Sequence, residues 1–181
     1  MKRVKHKLMA ALFFSGLLVA LFIGGYNIYS TVSDQRAAVA AYRQVLVEQF
    51  DRGLKLQVET AVSLIERVQA EQTAGRLTDE QAKKQAADLV RDLRFDDGNY
   101  FWIDTADGVN VVLLGRKETE GKSRLALVDN KGNHFIEDIL RNGQKDGGGY
   151  SDYWFPKPNE SEAKPKRAYS RLYKPYSWVI G

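Results

Sequence analysis

The sequence contains no cysteine and only two histidines, His6 and His134. Without cysteine the chain cannot form a disulfide framework, a thiol nucleophile or a zinc site built on thiolates. Two histidines so far apart leave little material for a histidine-based metal site or a Ser-His-Asp triad. We therefore expect no catalytic residue, no metal and no cofactor, and a protein that is not an enzyme.

Acidic residues are absent from residues 1–30, which hold four of the 27 lysines and arginines. The rest of the chain keeps 23 basic residues against 23 acidic ones and is formally neutral. A nucleic-acid-binding domain would carry its basic excess on its folded part. Nucleic acid is therefore not an expected partner.

No charged residue lies between Leu8 and Ser33, and residues 8–23 are almost all apolar. Because about 20 such residues cross a bilayer, the sequence predicts a transmembrane helix over 8–29 behind a basic tail over 1–7. Basic residues favour the cytoplasmic side, so we expect a cytoplasmic N-terminus, an anchor in the inner membrane of a bacterium and a periplasmic remainder. A cleavable signal peptide is the alternative, although no clear A-x-A site follows.

Residues 34–72 lack proline and predict one long helix. Its apolar residues recur every three or four positions, at Val47, Phe50, Leu54, Val58, Ala61, Ile65 and Val68. This spacing is typical of a coiled-coil seam. Two alternatives stay open: the helix packs on its own domain, or it pairs with a second copy of the chain.

A second helix is predicted after Gly75, whose residue type is typical of a position just beyond a helix end. Thr78 and Gln81 have the spacing of a capping box at its start. The apolar stripe of this helix is expected at Ala82, Ala86, Leu89, Val90 and Leu93.

The sequence pattern changes to strands after a predicted breaker at 96–99. Strands are predicted over 100–103, 109–114, 150–155, 167–173 and 178–181, with a hairpin turn at 105–108. A short amphipathic helix is predicted over 134–141, and a polar loop over 156–165. We therefore expect an α+β fold, with an N-terminal transmembrane helix, a long helix and a second helix, then an antiparallel sheet of about five strands.

Aromatic and basic residues are concentrated in the predicted sheet. Tyr100 and Trp102 share one strand face, whereas simple alternation places Lys166 and Tyr169 on opposite faces. A pocket with aromatic walls, hydroxyl groups and a cation would suit a small carboxylate. The alternative is that the aromatic residues form an ordinary core and the basic ones a solvated face.

Four other features have simpler interpretations. Asp104 and Asp107 could form an acid pair, but a role as turn residues explains them more simply. The glycines at 147–149 lack the Gly-Lys-Ser/Thr of a phosphate loop, and residues 129–132 lack the ligand pattern of a calcium loop. His134 has no partner at metal-ligand spacing and is expected near a helix start.

Six motifs occur in order along the chain: NYFWID (99–104), EGKS (120–123), VDNKG (128–132), GYSDYW (149–154), KRAY (166–169) and YSWVIG (176–181). Together they resemble the single Cache domain found outside the membrane in bacterial methyl-accepting chemotaxis receptors, over residues 34–181. The resemblance implies a PAS-like antiparallel sheet, a homodimer formed through the long helix and a pocket for a small organic acid. The ligand-binding residues that it implies are Tyr100, Trp102, Arg124, Tyr153, Lys166 and Tyr169. Lys166 and Tyr169 can both point inward only if a bulge intervenes.

Two departures from the family pattern bear on the ligand and on the length of the domain. The family often has His-Pro where this chain has Leu113-Leu114, so the ligand is expected to be larger, less polar or otherwise different. The family continues beyond the position of Gly181, so we expect the C-terminal end of the 34–181 domain to be truncated.

The resemblance implies the sensor part of a transmembrane chemotaxis receptor, which binds a small carboxylate and transmits the signal across the membrane. Histidine kinases and cyclases use the same sensor. A membrane-anchored structural or partner-binding ectodomain without a ligand is a further alternative. A membrane-anchored hydrolase using Asp104 is the least favoured one, because no second carboxylate stands at an interpretable position.

Overall fold

The computed structural model describes residues 2–96, 98–157 and 160–181. The fold is α+β, as predicted. Its helices are α1 (Lys2–Thr73), α2 (Asp79–Asp92) and α3 (Phe135–Gly143). Its strands are β1 (Arg94–Phe95), β2 (Asn99–Tyr100), β3 (Trp102–Thr105), β4 (Asn110–Leu113), β5 (Gly149–Pro156), β6 (Ala163–Tyr173) and β7 (Trp178–Ile180). Short 3-10 helices cover Lys117–Thr119 and Lys174–Tyr176.

The chain divides into two compact units, Met1–Gln49 and Phe50–Gly181. In the first unit, the large apolar side chains of α1 that the structure describes are exposed, from Val4 to Val47. By length and composition, α1 contains a stretch that could cross a membrane. The placement of the span at 8–29 and its orientation stay predictions.

The second unit begins within α1 and buries one face of that helix. Val58, Ala61, Ile65 and Val68 are at most 4% exposed, because they pack in one core with α2 and the sheet. Phe50 stays exposed. For these four residues the alternative of packing on their own domain is therefore right, and they are not available to a second chain.

The start of α2 confirms the predicted capping box. The Gln81 amide nitrogen donates to Thr78 Oγ1 at 3.2 Å, and the Thr78 amide nitrogen donates to Gln81 Oε1 at 2.9 Å. The buried stripe consists of Ala82, Ala86, Ala87 and Val90. Leu89 was expected in this stripe but is exposed, because the helix turns that position away from the core.

The main sheet has the strand order β4-β3-β7-β6-β5, and all neighbours are antiparallel. The short strand β7 is central, since Ile180 lies opposite both Ile103 of β3 and Arg171 of β6. Alternation gives the sheet two buried faces. We call them the α1 face, to which Ile103 and Ile180 belong, and the α3 face, to which Trp102 and Val179 belong.

Strand β6 begins at Ala163, earlier than predicted, so the polar loop assigned to 156–165 is wrong at its C-terminal end. Pro165 lies inside the strand, opposite Trp154 of β5. Proline has no amide hydrogen and is tolerated where one strand edge is free. In the described part of the chain, residues 163–170 of β6 pair with β5 alone, which leaves such an edge.

The predicted breaker at 96–99 is the turn of a small hairpin that the sequence reading missed. Arg94 pairs with Tyr100 and Phe95 pairs with Asn99. Asp96 turns the chain with a φ of 44°, and Asp97 lies outside the described residues. The predicted strand at 100–103 is therefore divided at Phe101 between β2 and β3.

The remaining elements match their predictions closely. The amphipathic helix predicted at 134–141 is α3, with His134 as its N-cap residue. The strand predicted at 109–114 is shorter at both ends, and its pairing with β3 shifts register between Ile103 and Asp104.

Candidate functional site

A cavity of about 270 Å³ lies between the C-terminal part of α1, the β1–β2 hairpin and β6. Five of the six predicted site residues line it, namely Tyr100, Trp102, Tyr153, Lys166 and Tyr169. Arg124 is not among its lining residues. A water molecule takes about 30 Å³ in the liquid, so the cavity has room for a small organic acid.

Lys166 brings a positive charge to the aromatic wall of this cavity. Its Nζ donates to Tyr100 Oη at 3.0 Å and lies 4.9 Å from the centroid of the same ring. Phe155 lies on another side, with its ring centroid 5.8 Å from Nζ. Among the described residues, no carboxylate oxygen lies within 4.0 Å of this ammonium group. Its charge is therefore available to an anion.

Tyr153 lies opposite Lys166 on β5 and is buried on the α3 face. Its ring stacks on Phe135 with a centroid distance of 5.1 Å and an interplanar angle of 14°. Burial raises the pKa of the Tyr153 hydroxyl above its ordinary value, and the nearby charge of Asp104 adds to that rise. The hydroxyl is therefore neutral at physiological pH and keeps a proton that it can donate.

Tyr169 lies on the α1 face, as simple alternation predicts. The pairing of β5 with β6 runs from Gly149–Pro156 without a register shift, so no bulge brings Tyr169 to the side of Lys166. Its hydroxyl donates to the carbonyl oxygen of Gly147. Tyr169 thus reaches the cavity from the side of α1, while Lys166 and Tyr153 reach it from the other side of the sheet.

Asp104 and Arg124 form a buried ion pair on the α3 face. Arg124 Nη1 lies 3.2 Å from both carboxylate oxygens of Asp104. Asn110 Nδ2 donates to Asp104 Oδ1 at 2.9 Å. Burial raises the pKa of the Asp104 carboxyl, while the charge of Arg124 and the Asn110 hydrogen bond oppose that rise. The three side chains are at most 6% exposed, so the pair is shielded from water.

The guanidinium of Arg124 keeps a free donor within this buried network. Its Nε is buried and has no hydrogen-bond partner among the residues that the structure describes. A buried donor without a partner is costly, and a buried water molecule is the usual acceptor at such a position.

The assignment of Asp104 to a turn is wrong. Asp107 does have the turn role, since it is exposed and accepts a hydrogen bond from the Thr105 hydroxyl. Asp104 is instead fully buried in β3. Strand alternation could have predicted the burial of Asp104, because residues 102 and 104 of one strand share a face.

Leu113 and Leu114 stand where the resemblance predicts His-Pro. Leu113 is 4% exposed and belongs to the cluster of Trp102, Phe135 and Tyr153. Leu114 is half-buried. Leu113 therefore makes the surroundings of Trp102 and Tyr153 apolar.

A second ion-pair cluster, missed from the sequence, joins β6 to α1. Arg167 Nε and Nη2 donate to the two oxygens of Asp51 at 2.6 and 2.7 Å, and Arg167 Nη1 donates to Asp152 Oδ2 at 2.7 Å. The Tyr150 hydroxyl donates to the backbone oxygen of Asp51 at 2.9 Å. Arg167 directly follows Lys166 on β6. The strand that brings the positive charge to the cavity is therefore also ion-paired with α1.

The glycine and aspartate turns show no sign of ligand chemistry. Asp129 Oδ1 accepts the backbone amides of Lys131 and Asn133, which makes it a structural turn residue. Within residues 2–96, 98–157 and 160–181, no three His, Cys, Asp or Glu side chains form a group that could hold a metal ion.

The domain combines a five-stranded antiparallel sheet, a long N-terminal helix on one face and an aromatic cavity that bears a cation. This combination is typical of a sensor domain. The sequence pattern of the family Single Cache domain 2 matches residues 46–181. This chain belongs to the single Cache domain 2 family.

Two curated relatives are sensor proteins of different output types. The methyl-accepting chemotaxis protein McpP of Pseudomonas putida is 31% identical over 124 residues, which is 68% of this chain and 23% of McpP. The sensor histidine kinase MctS of Rhizobium johnstonii is 29% identical over 103 residues, which is 57% of this chain and 22% of MctS. The chain thus spans about a quarter of the length of the curated relatives it matches.

Solved structures share the fold. A Cache chemosensory domain, described for its recognition of carboxylic acids, matches with a TM-score of 0.73 and 26% identity, covering 76% of this chain and 93% of that domain. The periplasmic sensor domain of a chemotaxis protein matches with a TM-score of 0.68 and 26% identity, covering 71% and 90%. A methyl-accepting chemotaxis protein from Vibrio parahaemolyticus, 24% identical with a TM-score of 0.66, supports the fold alone; the match covers 76% of this chain and 89% of that one.

Proposed function

We propose that this chain is the ligand-binding part of a transmembrane receptor that senses a small carboxylate outside the cytoplasm. Residues 1–7 form the cytoplasmic tail, residues 8–29 span the inner membrane and residues 34–181 form the periplasmic sensor. The domain binds its ligand without converting it. The similarity to both McpP and MctS supports a sensing role that serves either a chemotaxis receptor or a kinase.

The observation that carries the ligand class is the ammonium group of Lys166, which pairs with no carboxylate among the residues that the structure describes. It faces a cavity with aromatic walls and is held in place by Tyr100 rather than by a carboxylate. A carboxylate placed there gains a charge-assisted hydrogen bond, which is about twice as strong as a neutral one. Tyr153 adds a neutral hydroxyl to the same cavity, whereas Arg124, which the resemblance also implies, does not line it. The structural neighbour described for carboxylic acid recognition supports the same class.

Isothermal titration of propionate into the full chain in lipid nanodiscs tests this assignment. Lys166→Gln removes the cation, and the affinity is expected to fall at least tenfold, about 1.4 kcal/mol. Lys164→Gln is the matched control, because Lys164 lies on the same strand and face but is exposed and paired with Glu160 at 2.8 Å. Equal affinity of both variants and the wild type would contradict the role of Lys166.

Trp102→Ala tests the aromatic wall of the same cavity, and Tyr169→Phe tests the Tyr169 hydroxyl, whose bond to the Gly147 carbonyl oxygen holds that ring in place. Both variants are expected to weaken propionate binding while the circular-dichroism spectrum stays unchanged. Unchanged affinity in both would remove these residues from the site. If the well-folded wild type binds no ligand at all, the alternative of a structural or partner-binding ectodomain replaces the sensor.

We also propose that the receptor is a homodimer that pairs through the N-terminal part of α1. Val32, Val39 and Leu46 are exposed and lie seven residues apart, which is the repeat of a coiled-coil seam. The absence of cysteine allows a direct test by single-site cross-linking. Val39→Cys is expected to form disulfide-linked dimers in membranes, whereas Ala41→Cys, on the opposite side of the helix, is not. Equal cross-linking of the two variants would contradict this seam.

A further inference from the structure

Among the described residues, the hairpin of β5 and β6 joins the rest of the sheet only at its base. Residues 171–173 of β6 pair with β7, whereas residues 163–170 pair with β5 alone. This outer part of the hairpin carries Lys166 and Tyr153, which line the cavity. Its position is therefore fixed by what packs on its two faces rather than by a further strand.

On the α1 face, this hairpin is bonded to one residue of α1. Within the part of the chain that the structure describes, every hydrogen bond between the hairpin and α1 ends on Asp51. The Asp51 carboxylate accepts from Arg167 of β6, and the Asp51 backbone oxygen accepts from the hydroxyl of Tyr150 of β5. Both strands of the hairpin are thus attached to the same turn of α1.

The guanidinium of Arg167 is fully engaged in this attachment. Its Nε and Nη2 donate to Asp51, its Nη1 donates to Asp152, and its central carbon lies 5.0 Å from the centroid of the Tyr150 ring. Arg167 also lines the cavity, but each of its nitrogen atoms is already bonded to a carboxylate of the chain. A bidentate pair has a narrow range of favourable geometry, so a displacement of the strand at Arg167 is passed on to Asp51.

Lys166 and Arg167 are consecutive residues that lie on opposite faces of β6. Lys166 is on the α3 face and brings its ammonium group to the cavity, whereas Arg167 is on the α1 face and binds Asp51. Since the peptide unit between them is planar and rigid, a ligand that shifts Lys166 also shifts Arg167. Phe50 and Leu54, on either side of Asp51 in α1, line the same cavity. A bound ligand therefore lies between the two elements that the ion pair connects.

We propose that the ion pair of Asp51 and Arg167 couples the ligand cavity to α1: a carboxylate bound at Lys166 moves the hairpin, and the pair carries this movement to the helix. This coupling rests on the proposed function and goes beyond it, since it assigns two positioning residues that act through Lys166 without binding the ligand. A ligand that must also move α1 binds less tightly than one that moves the hairpin alone. Breaking the pair therefore abolishes the response of α1 without weakening binding, whereas a purely structural role predicts weaker binding.

Amide hydrogen exchange of residues 40–48, measured on the full chain in nanodiscs, reports whether α1 responds to the ligand. Among the residues that line the cavity, α1 contributes none before Phe50, so bound propionate does not shield this segment directly. Saturating propionate is expected to change the exchange rate of the segment at least twofold in the wild type. A wild type that binds propionate without this change would overturn the coupling. If the wild type binds none of acetate, propionate and butyrate, the proposed function fails, and the coupling fails with it.

The variant Asp51→Asn assigns the response to the ion pair. It keeps the shape of the side chain and removes its charge, so the exchange response to propionate is expected to disappear. Isothermal titration is expected to show a propionate affinity equal to or higher than that of the wild type. A wild-type exchange response in propionate-saturated Asp51→Asn would overturn the coupling. A tenfold loss of affinity in this variant would identify a structural role and would overturn it as well.

Two variants of the same cluster supply the control and keep the test decisive if Asp51→Asn does not fold. Asp152→Asn is the matched control, because Asp152 binds the same guanidinium but belongs to β5, so the link to α1 stays and the response is expected to persist. Arg167→Lys keeps the positive charge but cannot bind both oxygens of Asp51 in the bidentate manner. It is expected to lose at least half of the exchange response. Equal responses in Asp152→Asn and Arg167→Lys would contradict the coupling.

Discussion

The ion pair between Asp51 and Arg167 is expected to stabilise the fold more than an exposed pair does. The perturbation is a double-mutant cycle with Asp51→Asn, Arg167→Gln and the two together. The bonds are bidentate, at 2.6 and 2.7 Å, and the two side chains are 18% and 30% exposed. Exposed pairs contribute about 0–1 kcal/mol, and breaking fully buried ones costs about 3–5 kcal/mol. With partial solvent screening, we expect a coupling energy of about 1–2 kcal/mol.

Chemical denaturation of the full chain in detergent, followed by tryptophan fluorescence, measures this coupling. All three tryptophans, Trp102, Trp154 and Trp178, lie in the second compact unit, so the signal reports on the fold that holds the pair. The matched control is the exposed pair of Glu71 and Arg76, whose coupling should be clearly smaller. A coupling for Asp51 and Arg167 as small as the control's would refute the reasoning.

The same pair has a defined pH dependence. The Arg167 hydrogen bond, more than its charge, holds the pKa of the Asp51 carboxyl below its ordinary value. A carboxyl group with a lowered folded pKa contributes stability above its unfolded pKa, and this contribution is lost as the pH falls through the folded value. The coupling energy is therefore expected to be constant near neutral pH and to disappear in acid. A coupling that survives protonation of Asp51 would contradict the ionic origin.

Three further variants test the core, a helix cap and a turn by thermal unfolding of the full chain. Ile65→Ala empties a fully buried position of α1 and is expected to cost about 2–4 kcal/mol; a cost below about 1 kcal/mol would contradict its place in the core. Thr78→Ala removes the α2 cap and should cost about 1 kcal/mol, with no loss in Thr78→Ser. Gly148→Ala places a Cβ 2.5 Å from the Ser170 backbone oxygen, so it should destabilise much more than Gly147→Ala, whose Cβ meets nothing within 4 Å; equal effects would contradict this close approach.

Local sequence signals predicted correctly those features that depend on neighbouring residues of one helix or strand. The capping box of Thr78 and Gln81 needs only four consecutive residues, and it starts α2 as predicted. Strand alternation correctly separated Lys166 from Tyr169. The order of the sheet, in which β7 lies between β3 and β6, was not predicted, because such long-range pairing leaves no local trace.

The site residues that the sequence reading missed depend on contacts between distant segments. Asp104 is 20 residues from Arg124, and Asp51 is 116 residues from Arg167. A lone aspartate beside a turn has the same local pattern whether it caps the turn or pairs with a distant arginine. Only the tertiary structure separates Asp104 from Asp107, which is why the turn assignment held for one residue and failed for the other.

Ligand-dependent thermal stability of the full chain in nanodiscs is the most direct test of the sensor assignment. The ligand panel consists of carboxylates of two to four carbons, amino acids and amines. A ligand at about 100 times its Kd stabilises the folded state by about 2.7 kcal/mol, which raises Tm by several degrees. We expect this rise with at least one monocarboxylate and with no amine, and its loss in Lys166→Gln. A well-folded protein whose Tm does not change with any carboxylate, or changes equally in Lys166→Gln, would contradict the account.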